Sequence, residues 1–484
     1  MNKITTKTDV VVIGSGVSGL AAAVTAAEGG AKVILFEKQR SLGGTSNFFD
    51  GIFAVESDLQ RQRYIDYSRD EAFKNIMEYS HWRANARLVR AFVNESGETI
   101  AWLQKQGVEF IDVGINMPHA PRTYHPVKGT GEAVVKALVT SAKEKGVDIR
   151  PATPVKKILR EGNRITGVVA ETEDGKDIQV ATKAVVVASG GYANNKEWIK
   201  KYTGFDLGIN VIPVGNVDKM GDGIRMAWEV GADEEGMGVL ELLRAGPAGP
   251  GFELKNSIEM AAVQPILWVN RQGERFCDEG IAFYDTSTGN ANARYKEGYT
   301  YSIFDESIKQ HLLDKGIDRQ VGWENPPGTP PVNINKMIND ALERGTTEVF
   351  VADSVEELAK KIGIEPAVLR ATINEYNSFC EKGHDDLFAK DPKYLRPLKG
   401  PKYCAVKVRT VFLGTLGGIK INHEAEVVDK KDKVIPGLYA VGFDAGGAYG
   451  DSYSIKDSSG MSAGFATNSG RIAGKNVLKY LGKD

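Results

Sequence analysis

The run DVVVIGSGVSGLAAAVTAAEGGAKVILFEK near the start of the chain limits the possible folds more than any other stretch. Asp9–Ile13 reads as a strand, GSGVSG as a turn, and Leu20–Glu28 as an Ala-rich helix whose small residues permit close packing on a sheet. A second strand, Lys32–Phe36, ends at Glu37, so an acid stands 18 positions after Gly19. In such a βαβ unit Gly14 makes the tight turn, Gly16 lets a pyrophosphate approach the helix N-terminus, and Gly19 lets helix touch strand. Glu37 is placed to accept from ribose hydroxyls, and its charge disfavours a 2′-phosphate. The expected nucleotide is FAD or NAD rather than NADP.

The next stretch separates those two. After Lys38 comes a second glycine-rich loop, LGGTSNFFDG, offering Gly43, Gly44, Thr45, Ser46 and Gly51. It stands at the spacing where FAD enzymes place backbone and hydroxyl groups against phosphate and flavin, a loop that NAD dehydrogenases do not need. Glycine is correspondingly abundant, at 54 of 484 residues.

The rest of the chain supports an α/β fold interrupted by an insertion. Arg83–Gly107 carries a helical apolar pattern, read as a packing helix pair, and 147–182 reads as short strands with a hairpin turn at Asp174-Gly175. VVVASGG reads as a buried strand entering a glycine turn, and GDGIRMAWEV as a helix. From about 236 the sequence becomes turn-rich and aromatic, with a capping signal at Asp353-Ser354, until strand character returns near Pro401. The predicted division is 1–235 with 401–484 as one discontinuous domain, and 236–400 as an inserted one. A final helix is expected over Gly464–Leu481.

Composition excludes several classes. Sixty-one Lys+Arg against 63 Asp+Glu give a net charge of −2, without the basic excess of a nucleic-acid binder. No apolar run reaches 18 residues, so no membrane span or signal peptide is expected. Cys277, Cys380 and Cys404 have neither CxxC spacing nor a nearby His pair, so neither a disulfide framework nor a metal site is expected and a reducing, cytoplasmic setting is.

GSGVSGLAAA, Glu37, LGGTSN, VVVASGGYANN, GDGIRMA, VNRQGERFCDE, LGTLGGIKIN, IPGLYAVGFDAGG and SGRIAG occur in this order. With them the sequence resembles the fumarate reductase and 3-ketosteroid dehydrogenase flavoprotein superfamily, essentially end to end. The resemblance implies a Rossmann-like FAD-binding domain and a mobile capping domain that closes over substrate and excludes water. It adds Lys38, Val155, Ala188, Ser189, Gly190, Asn195, Asp222, Gly442, Asp444, Ser459 and Ser462 to the expected cofactor contacts. Members that hold FAD covalently carry a His after the second loop. Thr45-Ser46-Asn47 stand there, so non-covalent FAD is expected. With neither a haem-binding CxxCH nor an attached flavin domain, electrons are expected to pass to or from a separate partner or diffusing cofactor.

The departures from the family bear on substrate. Where the resemblance implies cationic clamps for a dicarboxylate, the chain has Leu413, Gly414 and Asp457, and Tyr284-Asp285 replaces Arg-Asp. A charge-assisted Arg–carboxylate contact is worth roughly 1.5–3 kcal/mol, so fumarate is expected to be a poor substrate. Tyrosines in similar contexts serve the ketosteroid dehydrogenases. Here Tyr284, Tyr453 or its neighbour Tyr449, and Tyr124 beside His125 are the candidates, with Tyr284 placed as proton donor. The YPGPG signature of that branch is absent. Each candidate has a plainer reading: tyrosine packing, a loop histidine, Lys456-Asp457 as a solvated pair, Glu279 as a buried structural acid, Cys277 as core. The expected function is FAD-dependent reduction, or formation, of an activated carbon–carbon double bond acting on a small molecule. The alternatives are a ketosteroid Δ1-dehydrogenase-like desaturase, an FAD-scaffolded isomerase or hydratase without net redox, and a non-catalytic electron-carrier subunit.

Overall fold

Val10–Ile13 is the central strand of a six-stranded sheet and is buried along its whole length. The order across that sheet is Glu426–Val428, Val434–Ala440, Ala184–Val187, Val10–Ile13, Val33–Phe36 and Asp148–Arg150. All neighbours run parallel except the first pair. Runs such as VVVI and AVVV are apolar at every position because both faces of a parallel sheet are covered. The computed structural model describes residues 4–215, 217–248 and 254–483.

Two helices pack closely beside this sheet. Val17–Glu28 begins at Gly16, three residues earlier than the apolar pattern suggests, because Ser18 and Gly19 are themselves buried. Met461–Leu481 lies against it, and a Cβ at Gly470 would stand 2.2 Å from the Ser18 carbonyl. Small residues on both helices are thus required by the approach of the two backbones. Residues 86–105 form one 20-residue helix, Ala86–Lys105, where a helix pair was expected. Gly97 does not break it; a Cβ there would meet the Val55 carbonyl at 2.7 Å, so that glycine serves close packing. The hairpin with its turn at Asp174-Gly175 joins Arg164–Glu171 to Asp177–Ala181 in a second, four-stranded sheet.

The chain divides into two units. The first holds 1–204, 214–241 and 414–484, the second 205–213 and 242–413. These limits differ from the 236 and 401 of the sequence reading. Tyr403–Thr415 is one 13-residue strand of the second unit's sheet, which carries the boundary past Pro401 to Leu413. In that sheet the strand lies between Ile212–Pro213 and Tyr299–Asp305, with Leu267–Val269 beyond. Its apolar face joins Leu267, Ile303, Val406, Leu358 and Tyr376 in one core. Cys277 packs against that core, as a small hydrophobe would. The helix Val355–Ile362 opens on Ser354, whose hydroxyl caps Glu357. Among the described residues no helix is long and apolar enough to cross a membrane.

Candidate active site

Three loops of the first unit lie at the carboxyl ends of adjacent parallel strands, the edge where open α/β sheets receive their ligands. Gly14 and Gly19 are required by the protein itself. A Cβ at Gly14 would lie 2.2 Å from the Ala188 carbonyl, and one at Gly19 2.0 Å from the Gly14 carbonyl. Gly16 and Gly44 are different. A Cβ at Gly16 would meet nothing nearer than Ser46 Oγ at 3.3 Å, and one at Gly44 nothing within 4 Å. Gly44 borders open space, and Gly16, crowded only by that hydroxyl, is the N-cap of the helix Val17–Glu28, where N–H groups and the helix dipole favour phosphate.

Glu37 stands at the end of its strand, as the spacing predicts. Its Oε2 accepts from Ser15 N at 2.9 Å and Ser15 Oγ at 2.7 Å, and Oε1 accepts from Gln39 N at 2.8 Å. A carboxylate has about four acceptor sites, so one remains for a ribose hydroxyl. Ser15 was not picked out by the sequence reading, yet it ties the first loop to the second by accepting from Gly43 N at 3.0 Å. Ser46 Oγ accepts from Val17 N at 2.9 Å. Thr45 lies in the short 3-10 turn Gly44–Phe48, entered through Gly43 at φ +97°. Gly51 is a packing glycine, because a Cβ there would meet the Tyr124 ring at 2.5 Å.

The third loop, Ala188–Gly191, is clamped by buried Asp444. Its carboxylate accepts from the backbone N–H groups of Ser189, Gly190 and Gly191, and from Ser189 Oγ at 3.1 Å. Burial pushes the Asp444 pKa up while these donors pull it down. Ser189 Oγ also accepts from Gly223 N, and Lys38 Nζ pairs with Asp222 at 3.0 Å. Gly442 takes φ +60° against Ser18. Other expected contacts are committed elsewhere through their side chains. Asn195 caps the helix Lys196–Thr203 and donates to the Met220 carbonyl. Ser459 Oγ donates to the Ile455 carbonyl, and Val155 is a buried strand residue.

Among the candidate catalytic groups of the first unit, His125 and Tyr453 are both buried but differ in their surroundings. His125 Nδ1 faces the Thr123 carbonyl at 3.0 Å and Nε2 faces Ser57 Oγ at 2.8 Å, so both ring nitrogens are occupied. Burial pushes its pKa down to about 4, which keeps the ring neutral. It shares the short strand Tyr124–Pro126 with Tyr124, pairs antiparallel with Gly51–Phe53, and has no nitrogen left to polarise a substrate. Tyr453 instead lies near the side chains of Ser462 and Glu241, and burial pushes its pKa well up. Tyr449 stacks edge-on against it at 5.9 Å. Glu241 and buried Lys219 complete this group. The sequence reading missed both. A lone acid inside VLELL was the available signal for Glu241; Lys219 in VDKMGDG gave none.

Within the second unit Tyr284 is half-buried and precedes the helix Asp285–Ala293. Asp285 is buried between Arg319, which donates to it, and Arg244 at 3.9 Å. It is therefore an ion-pair partner that fixes the start of this helix. Glu279 bonds Arg275 at 2.8 Å and stands 3.3 Å from Lys390, all fully buried, so it is a structural acid. Asp457 accepts from Ser454 Oγ at 2.9 Å, a local brace.

The FAD binding domain family matches residues 9–456. The vinyl phenol reductase of Lactiplantibacillus plantarum is 35% identical over 98% of this chain and 96% of its own length. The NADH:fumarate oxidoreductase of Klebsiella pneumoniae is 29% identical over 91% of this chain and 45% of its own length. Among solved structures, the open conformation of a flavocytochrome c3 fumarate reductase superposes with a TM-score of 0.77 at 26% identity, covering 98% of this chain and 78% of that one. The resemblance drawn from the ordered motifs is borne out. Glycines that front open space, an acid at the strand end and a family match over most of the chain agree: this chain belongs to the FAD binding domain family and is an FAD-dependent oxidoreductase acting on carbon–carbon double bonds.

Proposed function

We propose that the chain reduces the vinyl double bond of a small neutral aromatic alkene of the vinylphenol type, using electrons from a donor outside these 484 residues. One observation carries the choice against dicarboxylates. The three positions where the resemblance implies cationic clamps hold Leu413, Gly414 and Asp457. A Cβ at Gly414 would meet the Phe443 ring at 2.5 Å, and the Asp457 carboxylate is held by Ser454. A carboxylate substrate brought there would leave its own charge unpaired, at a cost of several kcal/mol. The likeness to the vinyl phenol reductase along both chains supports the same reading.

Bound non-covalently, FAD would supply the hydride chemistry, held by the Gly16 and Gly44 loops, Glu37 and the Asp444-braced turn. The chain's own task is the proton for the other alkene carbon. Tyr453 is the better-equipped donor. Its phenol is buried beside Tyr449 and stays protonated, whereas Tyr284 is half-buried.

Anaerobic stopped-flow tests the substrate. Dithionite-reduced holoenzyme is mixed with 4-vinylphenol, a cinnamate-type acid or fumarate. Flavin reoxidation by 4-vinylphenol is expected to be faster than by fumarate by at least about a hundredfold, the loss expected for one or two missing charged contacts. Equal or faster reoxidation by fumarate overturns the reading. Product formed from substrate without any flavin spectral change would point to the isomerase or hydratase class instead.

A further inference from the structure

Between the helices Arg69–Tyr79 and Ala86–Lys105 of the first unit the chain reverses through residues 80–85. This turn lies against the loop 447–453, which carries Tyr449 and Tyr453 and belongs to the same unit. His81 and Trp82 stand at φ +51° and +59°, a left-handed pair that is costly for residues with side chains and persists where neighbours hold it. Turn and loop are tied at three points. Asn85 N donates to the Gly447 carbonyl at 2.8 Å. Asp451 Oδ2 stands 3.3 Å from His81 Nδ1 and accepts from Arg83 Nη1 at 3.4 Å. The Ser452 hydroxyl lies 3.2 Å from the Tyr79 carbonyl and 3.0 Å from Asp451 Oδ1, so its single proton has two acceptors. Between these ties Gly450 comes so near that a Cβ there would stand 2.7 Å from Ala84 N.

Tyr453 follows Asp451 by two residues. On its other side the chain is fixed locally, since Ser454 Oγ donates to the Asp457 carboxylate at 2.9 Å and accepts from Asp457 N at 3.1 Å, and Ser458 Oγ donates to the Ser454 carbonyl at 2.6 Å. The buried phenol thus stands between a local turn behind it and ties to a distant segment ahead of it. We propose, on the reading that Tyr453 gives the alkene its proton, that Asp451 is a positioning residue: by fastening the loop 447–453 to the turn 80–85 it holds the Tyr453 phenol in place for the transfer. Tyr453 touches substrate, and Asp451 acts through it. The side chains of His81 and Arg83 are 72% and 70% exposed, and an exposed pair is individually weak. The effect therefore falls on rate more than on stability, because a misplacement of about 1 Å costs a positioned group up to about a hundredfold.

The test uses FAD-loaded protein and the reduced-flavin half-reaction with 4-vinylphenol, read as a limiting rate and a half-saturating concentration. Asp451→Ala is expected to lower the limiting rate by at least about tenfold while half-saturation stays within about threefold of the parent and flavin content is unchanged. Asp451→Asn keeps an acceptor oxygen at the same place and should return the rate to within about threefold. Replacing His81 and Arg83 together by Ala should slow the step about as much as Asp451→Ala, and the triple variant no further, because all three changes cut one tie. In a Tyr453→Phe background Asp451→Ala should cost less than about twofold, since the group it positions is gone. Amide hydrogen exchange of the holoenzyme gives a reading independent of turnover: segment 447–453 should exchange about tenfold faster in Asp451→Ala.

A parental limiting rate in Asp451→Ala, with Tyr453→Phe slow, overturns the proposal and leaves Tyr453 standing as donor. So does a full tenfold loss on adding Asp451→Ala to Tyr453→Phe, which would make Asp451 a support of the fold at large. Unchanged exchange of segment 447–453, or a parental rate when His81 and Arg83 are both Ala, overturns it too, because the turn would then not be what Asp451 fastens. If Tyr453→Phe itself keeps the parental rate, the donor reading fails and the positioning role with it.

Discussion

In the first unit, glycines at 14, 19 and 43 let loops and helix pack closely while Gly16 and Gly44 leave backbone groups accessible, and one carboxylate, Asp444, gathers three consecutive N–H groups. The second unit handles its buried polarity through paired side chains. Arg275, Glu279, Asp385 and Lys390 neutralise one another with no exposed side-chain surface, and Asp285 sits between Arg244 and Arg319. Backbone N–H groups cannot be tuned by charge, but they fix a phosphate without demanding a counter-ion. Ion-pair networks hold shape against alternatives and are costly when broken. The difference teaches that the first unit is built to receive an anion and the second to be rigid.

The largest expected effect separates cradle glycines from packing glycines. Gly16 has φ −63° and ψ 170°, an extended conformation that any residue adopts, and a Cβ there would press only on the Ser46 hydroxyl, at 3.3 Å. Gly16→Val should therefore fold with near-parental circular dichroism and melting yet purify colourless, because the side chain fills the space the pyrophosphate needs. Gly14→Val should fail to fold, since φ +108° and a 2.2 Å approach to Ala188 both oppose it. A yellow Gly16→Val protein at full occupancy would break the distinction. Acid precipitation of the parent should release the flavin to the supernatant; colour in the pellet would show a covalent link.

Next in size is the second unit's network. Glu279→Gln removes one negative charge from a buried set of two acids and two bases, leaving an uncompensated cation. Urea unfolding should show a loss of about 3–5 kcal/mol with flavin content unchanged in the absence of urea. A loss under about 1 kcal/mol would mean the network relaxes or hydrates, and that the second unit is less rigid than its pairing suggests.

The two tyrosines put the comparison on a catalytic footing. Tyr453→Phe should bind FAD normally and slow the reduced-flavin half-reaction by at least about a hundredfold, about 2.7 kcal/mol of transition-state stabilisation. Tyr284→Phe should lose less than about tenfold. If the two results are reversed, the proton comes from the second unit, where the resemblance first placed it. If neither variant slows, tyrosine acid/base chemistry is wrong.

Much of the first unit was legible in the chain because its constraints are local. A strand of VVVI, a glycine turn and an acid at a fixed spacing report on one another within 30 residues, and the observed elements fall there within a few positions. What stayed hidden was long-range. Nothing adjacent to Tyr453 in sequence announces Glu241 more than 200 positions earlier, nor Ser57 opposite His125. The boundary near 401 was misplaced for a related reason. Proline at 401 punctuates the local pattern, while the strand that follows belongs to the second unit through pairing with Tyr299–Asp305. The role of Asp285 was likewise unreadable, since its partners Arg244 and Arg319 lie about 35 to 40 residues away on either side.

His125 gives the smallest effect and places a titrating side chain inside the backbone-built unit. Its folded pKa of about 4 lies below the ordinary 6.5, so the unfolded chain takes up the proton first as pH falls. The stability that His125 confers is complete above about pH 6.5 and declines as pH drops toward 4, at about 1.4 kcal/mol per pH unit, or about 2 kcal/mol between pH 6.5 and 5. Carboxylates contribute their own slope at the lower end of that window, so the measurement is a difference. Urea unfolding of parent and His125→Gln is followed from pH 7 to 5, and the parent should take up about one more proton on unfolding than the variant. Equal slopes would mean that the imidazole is charged, or already reached by water, in the folded protein. The ring would then have a proton to offer, the strand pair Gly51–Phe53 with Tyr124–Pro126 would be more than an anchor, and His125 would return as a rival to Tyr453.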